Sequence, residues 1–201
     1  MEAKQYLVFN AETTGLSPIA DQICHLAYII TDDMFNPLIA KKFYFAVDEM
    51  SYGAEQVHGL TQEKLKELSG GKGFKDCYKE LYEDFKSVDL IATHNFIFFW
   101  DFMLWEFQKC DIYEEDFRNI QKICLMCRYK DILQIDIGYE DYKYPKFSEI
   151  EQFLNLEKED VVEQSEGVFN LDENEITRCI EKTTAAVQML KTYMLSDIEF
   201  Y

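Results

Sequence analysis

Residues 5–18 read Gln5-Tyr6-Leu7-Val8-Phe9-Asn10-Ala11-Glu12-Thr13-Thr14-Gly15-Leu16-Ser17-Pro18, and most of the fold follows from this stretch. Gln5 to Asn10 is a short apolar run read as a buried strand, and Gly15 and Pro18 punctuate the loop behind it. Residues 22–32 and 38–47 are rich in Ile, Tyr, Phe and Ala, and the short stretch 33–37 joins them as adjacent strands. A short helix opens at Thr61 and runs to Leu68. Residues 75–85 repeat apolar side chains at helical spacing through Cys77, Leu81 and Phe85. Residues 90–93 (LIAT) form another short apolar strand, and 99–110 are apolar and aromatic enough for a largely buried helix.

In the second half, residues 120–125 are either a strand or the start of a helix running to Leu133. Residues 136–146 are a Tyr-rich loop. Ser148 and Glu151 have capping-box spacing for a helix ending at Leu154, and Asp172 with Glu175 resembles the same start signal. From there Ile176, Ile180, Ala186, Met189, Leu190 and Tyr193 continue a long amphipathic helix. Strands first, then alternation, then a closing helix predict an α/β fold with a mixed sheet flanked by helices.

At 201 residues and 48% hydrophobic, the chain suits one well-cored domain spanning residues 1–201. With only 3 Pro and 8 Gly against 16 Phe and 13 Tyr, disorder and long loops are excluded. No apolar run approaches the roughly 20 residues needed to span a bilayer. The start MEAKQYLVF lacks the zones of a signal peptide, so a soluble, intracellular, cytoplasmic protein without membrane contact is expected. The six cysteines lie mostly in apolar segments and read as small buried hydrophobes. Cys124 and Cys127 form one C-x-x-C, but no second pair stands at zinc spacing. The formal net charge of −18 opposes any polyanion, because nucleic-acid affinity rests on Lys and Arg neutralising phosphates.

Several segments, taken in order, resemble the motifs of one family. Val8-Phe9-Asn10-Ala11-Glu12-Thr13-Thr14-Gly15-Leu16 is similar to the F-D-x-E-T-T-G-L motif of DnaQ-like (DEDDh, RNase T-like) 3′→5′ exonucleases. Asp21-Gln22-Ile23 with His25-Leu26-Ala27 resembles their D-x-I-x-E-I-A strand. Glu55-Gln56-Val57-His58-Gly59-Leu60-Thr61 resembles I-H-G-I-T, and Ala92-Thr93-His94-Asn95 resembles V-A-H-N. Residues 147–154 resemble the helix before the third motif, and Thr177-Arg178-Cys179-Ile180-Glu181-Lys182-Thr183 stands where the family has H-R-A-L-x-D-A. The first match is specific; the later ones are individually weak and run in the right order. The resemblance implies an RNase H-like sheet of about five strands.

It also implies a site. Two-metal phosphodiester hydrolysis needs a pair of divalent ions about 3.5–4 Å apart, held by carboxylates from several elements. The family supplies four acids and a His that acts as general base. Carried over by position, Glu12 is retained, Asn10 replaces one Asp, Phe99 stands at the acidic position of the second motif, Thr177 replaces the His and Lys182 the last Asp. An ammonium there can take over the cation's electrostatic role by pairing with Glu12, as a structural salt bridge. Asp101 and Glu181 are possible rescuers, although each would have to reach from a different helix face. Thr13, Thr14, Gly15, Leu16, His58, His94 and Asn95 are the candidate substrate contacts.

Each of these residues also has a structural reading. His94 and Asn95 suit a strand end or loop anchor. His58 divides evenly between turn and substrate contact, and His25 fits a satisfied core or edge histidine. Phe96, Phe98, Phe99, Trp100, Phe102, Trp105 and Phe107 could stack on bases, but their helical spacing favours core packing. Residues 114–116 and 157–166 read as solvated acidic faces. The favoured function is a degenerate, inactive or impaired exonuclease homologue that binds a protein partner or a single-stranded 3′ nucleic-acid end, with no cofactor. The alternative is an active Mg²⁺- or Mn²⁺-dependent 3′→5′ exonuclease on single-stranded DNA or RNA, using Glu12, Asp101 and Glu181. Carboxylates converging on Glu12 would favour the enzyme; Lys182 pointing at Glu12 would favour the binding protein. A nucleic-acid mimic rests on charge alone.

Overall fold

Alternation within β1 (Gln5–Thr13) builds the centre of the protein: Leu7, Phe9 and Ala11 point to one side of the sheet, Tyr6 and Val8 to the other, and all are buried. The computed structural model describes residues 3–138 and 141–195. β1 pairs antiparallel with β2 (Ile23–Asp32), which pairs antiparallel with β3 (Pro37–Tyr44). On its other flank β1 pairs in parallel with β4 (Leu90–Thr93), and β4 with β5 (Gln121–Cys124), giving the order β3-β2-β1-β4-β5. This is the mixed five-stranded RNase H-like sheet expected from the sequence.

β1 runs three residues past its predicted end. Asn10 and Glu12 break the apolar pattern, but their backbones pair with Ala27 and His25, so the ladder overrides the sequence signal. β3 ends at Tyr44, and β5 is a strand, with the helix α5 (Leu125–Leu133) following it directly.

Two helices were not anticipated. α1 (Tyr52–His58) buries no residue, so it carries no apolar period; Ser51 caps its start, and Gly59, at φ 70°, ends it in the left-handed region that glycine tolerates. α7 (Lys158–Phe169) includes most of the supposed solvated acidic face, yet buries Val161 and Ser165, the latter hydrogen-bonded to Thr184 at 2.8 Å. α2 (Gln62–Ser69) and α3 (Phe74–Lys86) match their predictions closely. α4 (Phe96–Gln108) starts three residues early because Phe96 packs on Trp100.

α6 (Phe147–Phe153) is capped two residues ahead of the predicted box. Its acid is Glu149, which accepts from Lys146 N at 2.7 Å, because Phe147 is buried and draws its residue into the first turn. Asp172 and Glu175 cap only a 3₁₀ turn (Glu173–Glu175); α8 (Arg178–Leu195) begins after Thr177, whose hydroxyl accepts from Ile180 N at 3.4 Å. Of the predicted 136–146 loop, Asp136 bridges Tyr142, and residues 139 and 140 lie outside the described residues.

α3 and α4 cover one face of the sheet with an aromatic core, and α5, α6, α7 and α8 cover the other. At the start of α2, Thr61 Oγ1 accepts from Lys64 N at 3.2 Å, and Leu65 anchors the helix in a small cluster with Cys24 and Leu60. Thr61→Ala is expected to cost about 1 kcal/mol by urea denaturation, since one N-terminal N–H loses its acceptor.

Candidate functional site

The even-numbered face of β1 continues past Val8 into Asn10 and Glu12, so the strand that centres the core also delivers two polar side chains beside α8. Asn10 and Glu12 are nearly fully buried, at 4% and 9% exposure. They line a cleft of about 450 Å³ shared with Leu16, Val57, His58, Phe98, Phe99, Arg178 and Lys182. The adjoining loop is fixed locally. Thr14 Oγ1 accepts from Gln22 N at 3.0 Å, Thr13 Oγ1 donates to Gly15 O at 2.7 Å, and Asp21 accepts from Ser17 N at 2.9 Å. A Cβ at Gly15 would lie 2.3 Å from Asp21 Oδ1, so a larger residue there would push the Asp21 carboxylate off its bonds to Thr14 and Ser17.

Glu12 Oε1 has no hydrogen-bond partner, and the nearest cation is Arg178 Nε at 3.9 Å. The expected Glu12–Lys182 salt bridge is corrected here: no such pair forms among the described residues. Arg178 stands closer because it occupies the first turn of α8 while its Nη1 donates to Val57 O at the end of α1. Lys182 instead extends over the Phe147 ring, 5.3 Å from its centroid. Burial and the neighbouring Arg178 lower the Lys182 pKa, and Glu12, Cys179 and Glu151 oppose that shift. The sequence reading passed over Arg178. Its i,i+4 spacing to Lys182, which puts both on one helix face, was the available signal.

Phe99 lines the cleft with its ring 6.5 Å from that of Phe9, forming an apolar wall there. Asp101 is exposed on α4, with burial and Glu114 raising its pKa, and is not among the cleft residues. Glu181 lies in a neighbouring pocket with Glu151 and is 3.7 Å from Lys158. Thr177 caps α8 and hydrogen-bonds the Tyr44 hydroxyl, whose pKa burial raises to about 12. None of Asp101, Glu181 and Thr177 lines the cleft with Glu12.

His58 Nδ1 accepts from Leu60 N at 3.1 Å in the turn, and the residue also lines the cleft. His94 anchors a loop, donating from Nε2 to Pro145 O at 3.1 Å, and burial holds its pKa down to about 4. Asn95 occupies the N-cap position of α4 without a side-chain cap bond. His25 is fully buried and stacked on Tyr44 at 4.3 Å, yet neither ring nitrogen has a partner, so it is not a satisfied core histidine. Burial, with Lys42 and His58, lowers its pKa to about 3. Phe96, Trp100, Phe102 and Phe107 are core, as expected, and Cys127 is exposed, contrary to expectation.

Hard divalent ions need several oxygen ligands, most of them charged. Among the described residues no group of three or more His, Cys, Asp and Glu could hold a metal ion, and the cleft offers one carboxylate beside two cations. The residues do not fit a two-metal centre.

The exonuclease family model RNase_T matches residues 7–157. Among solved structures, E. coli exonuclease I in complex with a dT13 oligonucleotide superimposes with a TM-score of 0.70 at 16% identity, over 94% of this chain and 41% of that one. Its complex with a 5cy-dA13 oligonucleotide gives 0.68 at 15%, over 94% and 40%. The zinc-bound complex with single-stranded DNA gives 0.68 at 15%, over 96% and 41%. The chain thus spans about two-fifths of these structures, and at such identity they show a shared fold. No curated protein matches the chain.

Proposed function

Since the chain belongs to the RNase T exonuclease family, we propose that it is a member that binds without cutting. One observation carries this reading: at the four acidic positions the cleft retains only Glu12, and Arg178 and Lys182 project where a metal pair would need negative charge. A cleft whose one carboxylate is Glu12 offers a metal pair too few charged ligands to clamp the attacking and leaving oxygens of a phosphodiester. Thr177, at the general base position, is a helix cap.

A protein partner is favoured over bare nucleic acid by the net charge of −18, and exposed Leu16, Tyr52, Val57 and Ile97 offer apolar contact. The six unpaired cysteines support an intracellular, cytoplasmic setting. No helix among the described residues is long and apolar enough to cross a membrane.

The deciding experiment uses 5′-labelled single-stranded DNA and RNA with Mg²⁺ or Mn²⁺, beside Glu12→Ala. Full-length strands from both proteins are expected. Stepwise 3′ shortening that disappears in Glu12→Ala would overturn the reading and establish an enzyme with a rebuilt ligand set, Asp101 and Glu181 being the first residues to substitute.

A further inference from the structure

Away from the cleft, the C-x-x-C of residues 124–127 lies where β5 passes into α5. Cys124 is the N-cap of α5, and Cys127 stands in its first turn. The separation of their Cα atoms is set by the two residues between them, Leu125 and Met126, and both are helical. Helical geometry puts such atoms about 5 Å apart, inside the roughly 4.4–6.8 Å that a disulfide spans. The side chains already meet, since the Cys127 thiol is hydrogen-bonded to that of Cys124. Cys124 is half-buried; its Sγ donates to His94 O at 3.2 Å and accepts from Phe96 N at 3.5 Å. Cys127 is exposed and open to a reagent. An accessible sulfur touching a sheltered one supplies an attacking thiol and a resolving thiol. Oxidation forfeits little. The Cys124 sulfur stops donating to His94 O, but that carbonyl keeps its bond from Met126 N at 2.8 Å.

We infer that Cys124 and Cys127 form a reversible intramolecular disulfide, made by exchange with a small anionic disulfide of the glutathione type. The Cys127 thiolate attacks one sulfur of glutathione disulfide, breaking its S–S bond and releasing one glutathione thiolate, which takes up the proton that Cys127 gave. Cys124 then loses its proton and attacks the Cys127 sulfur of the mixed disulfide. The Cys124–Cys127 bond forms, and the second glutathione leaves and is protonated. Two protein thiols are oxidised while one glutathione disulfide is reduced to two thiols. Burial and the bonded Cys124 thiol push the Cys127 thiol up to about 11, so the exchange is slow near neutrality and quickens as the pH rises. Arg128 and Lys130 oppose that shift and favour an anionic reagent over a cationic one. A dithiol of this kind inside a reducing compartment cycles between its two states, unlike the permanent bridges of secreted proteins.

The test incubates the full folded chain with glutathione disulfide at mildly alkaline pH, quenches with acid, blocks free thiols with iodoacetamide and measures peptide masses. Lys122 and Arg128 bound a single tryptic peptide, residues 123–128, that carries both cysteines. This peptide is expected to lose two hydrogens, to take no alkyl group, and to revert on treatment with dithiothreitol. It should oxidise roughly tenfold or more faster than the fully buried Cys24 and Cys179 react. Cys124→Ser is expected to hold one glutathione on Cys127, because no resolving thiol remains to displace it. Circular dichroism before and after oxidation checks that the chain stays folded. Alkylation of both cysteines despite excess glutathione disulfide would overturn the proposal. So would a glutathione adduct on Cys127 that persists in the unsubstituted chain, or a disulfide that forms only in urea.

Discussion

Phe107→Ala is expected to lower the unfolding free energy by about 3–5 kcal/mol, the range for emptying a fully buried phenylalanine site. Phe107 is the hub of the aromatic core between α3, α4 and the 3₁₀ turn before β5. Its ring centroid lies 5.3 Å from Phe117, 5.4 Å from Phe74, 6.2 Å from Phe85 and 6.5 Å from Tyr82, mostly edge to face. Removing it forfeits the transfer energy of the ring, leaves a cavity, and breaks several quadrupole-matched contacts together. Against a total stability of about 5–15 kcal/mol, this is a large share. Urea unfolding should show a lower midpoint at unchanged slope. Phe153→Ala, at a side chain 50% exposed, should cost less than about 1 kcal/mol. Similar losses at the two positions would refute the packing described here.

Acidification from pH 7 to pH 5 is expected to cost about 2 kcal/mol through His25 alone. The imidazole titrates near 6.5 when unfolded, whereas burial, Lys42 and His58 hold it down to about 3 when folded. Between these values the unfolded chain binds a proton that the folded chain does not. Stability is therefore complete above pH 6.5 and falls as the pH drops, by about 1.4 kcal/mol per unit until about pH 3. His94, lowered to about 4, adds loss of the same sign; Glu106, raised by burial, acts in the opposite sense. His25→Phe keeps a ring on Tyr44 and removes two unpartnered nitrogens. Denaturation at several pH values should show the loss between pH 7 and pH 5 shrinking by about 2 kcal/mol in the variant. An unchanged slope would mean that the imidazole is paired or hydrated in solution.

These two predictions depend on different levels of information. Phe107 was legible as core from the helical spacing of aromatics along residues 96–107, because periodicity reports directly which face of a helix is buried. His25 was legible only as a residue in a buried strand; its missing partners depend on what β3 and α8 bring near it. The first strand, the loop closed at Gly15, the two following strands and the closing helix could all be read from apolar pattern and turn residues. α1 and α7 could not, since one buries nothing and the other buries too little for a period to show.

At the candidate site, sequence by itself determined which side chains stand at the matched positions: Glu12, Asn10, Phe99, Thr177 and Lys182, with Asp101 and Glu181 left open as rescuers. Only the tertiary structure decided their pairing. Arg178 rather than Lys182 approaches Glu12, Asp101 and Glu181 lie outside the cleft, and Thr177 caps a helix. The reason is geometric. A residue's chemistry is local to the chain, but a distance between β1 and α8 is set by how the 164 residues between Thr13 and Arg178 pack, and no spacing rule reaches that far.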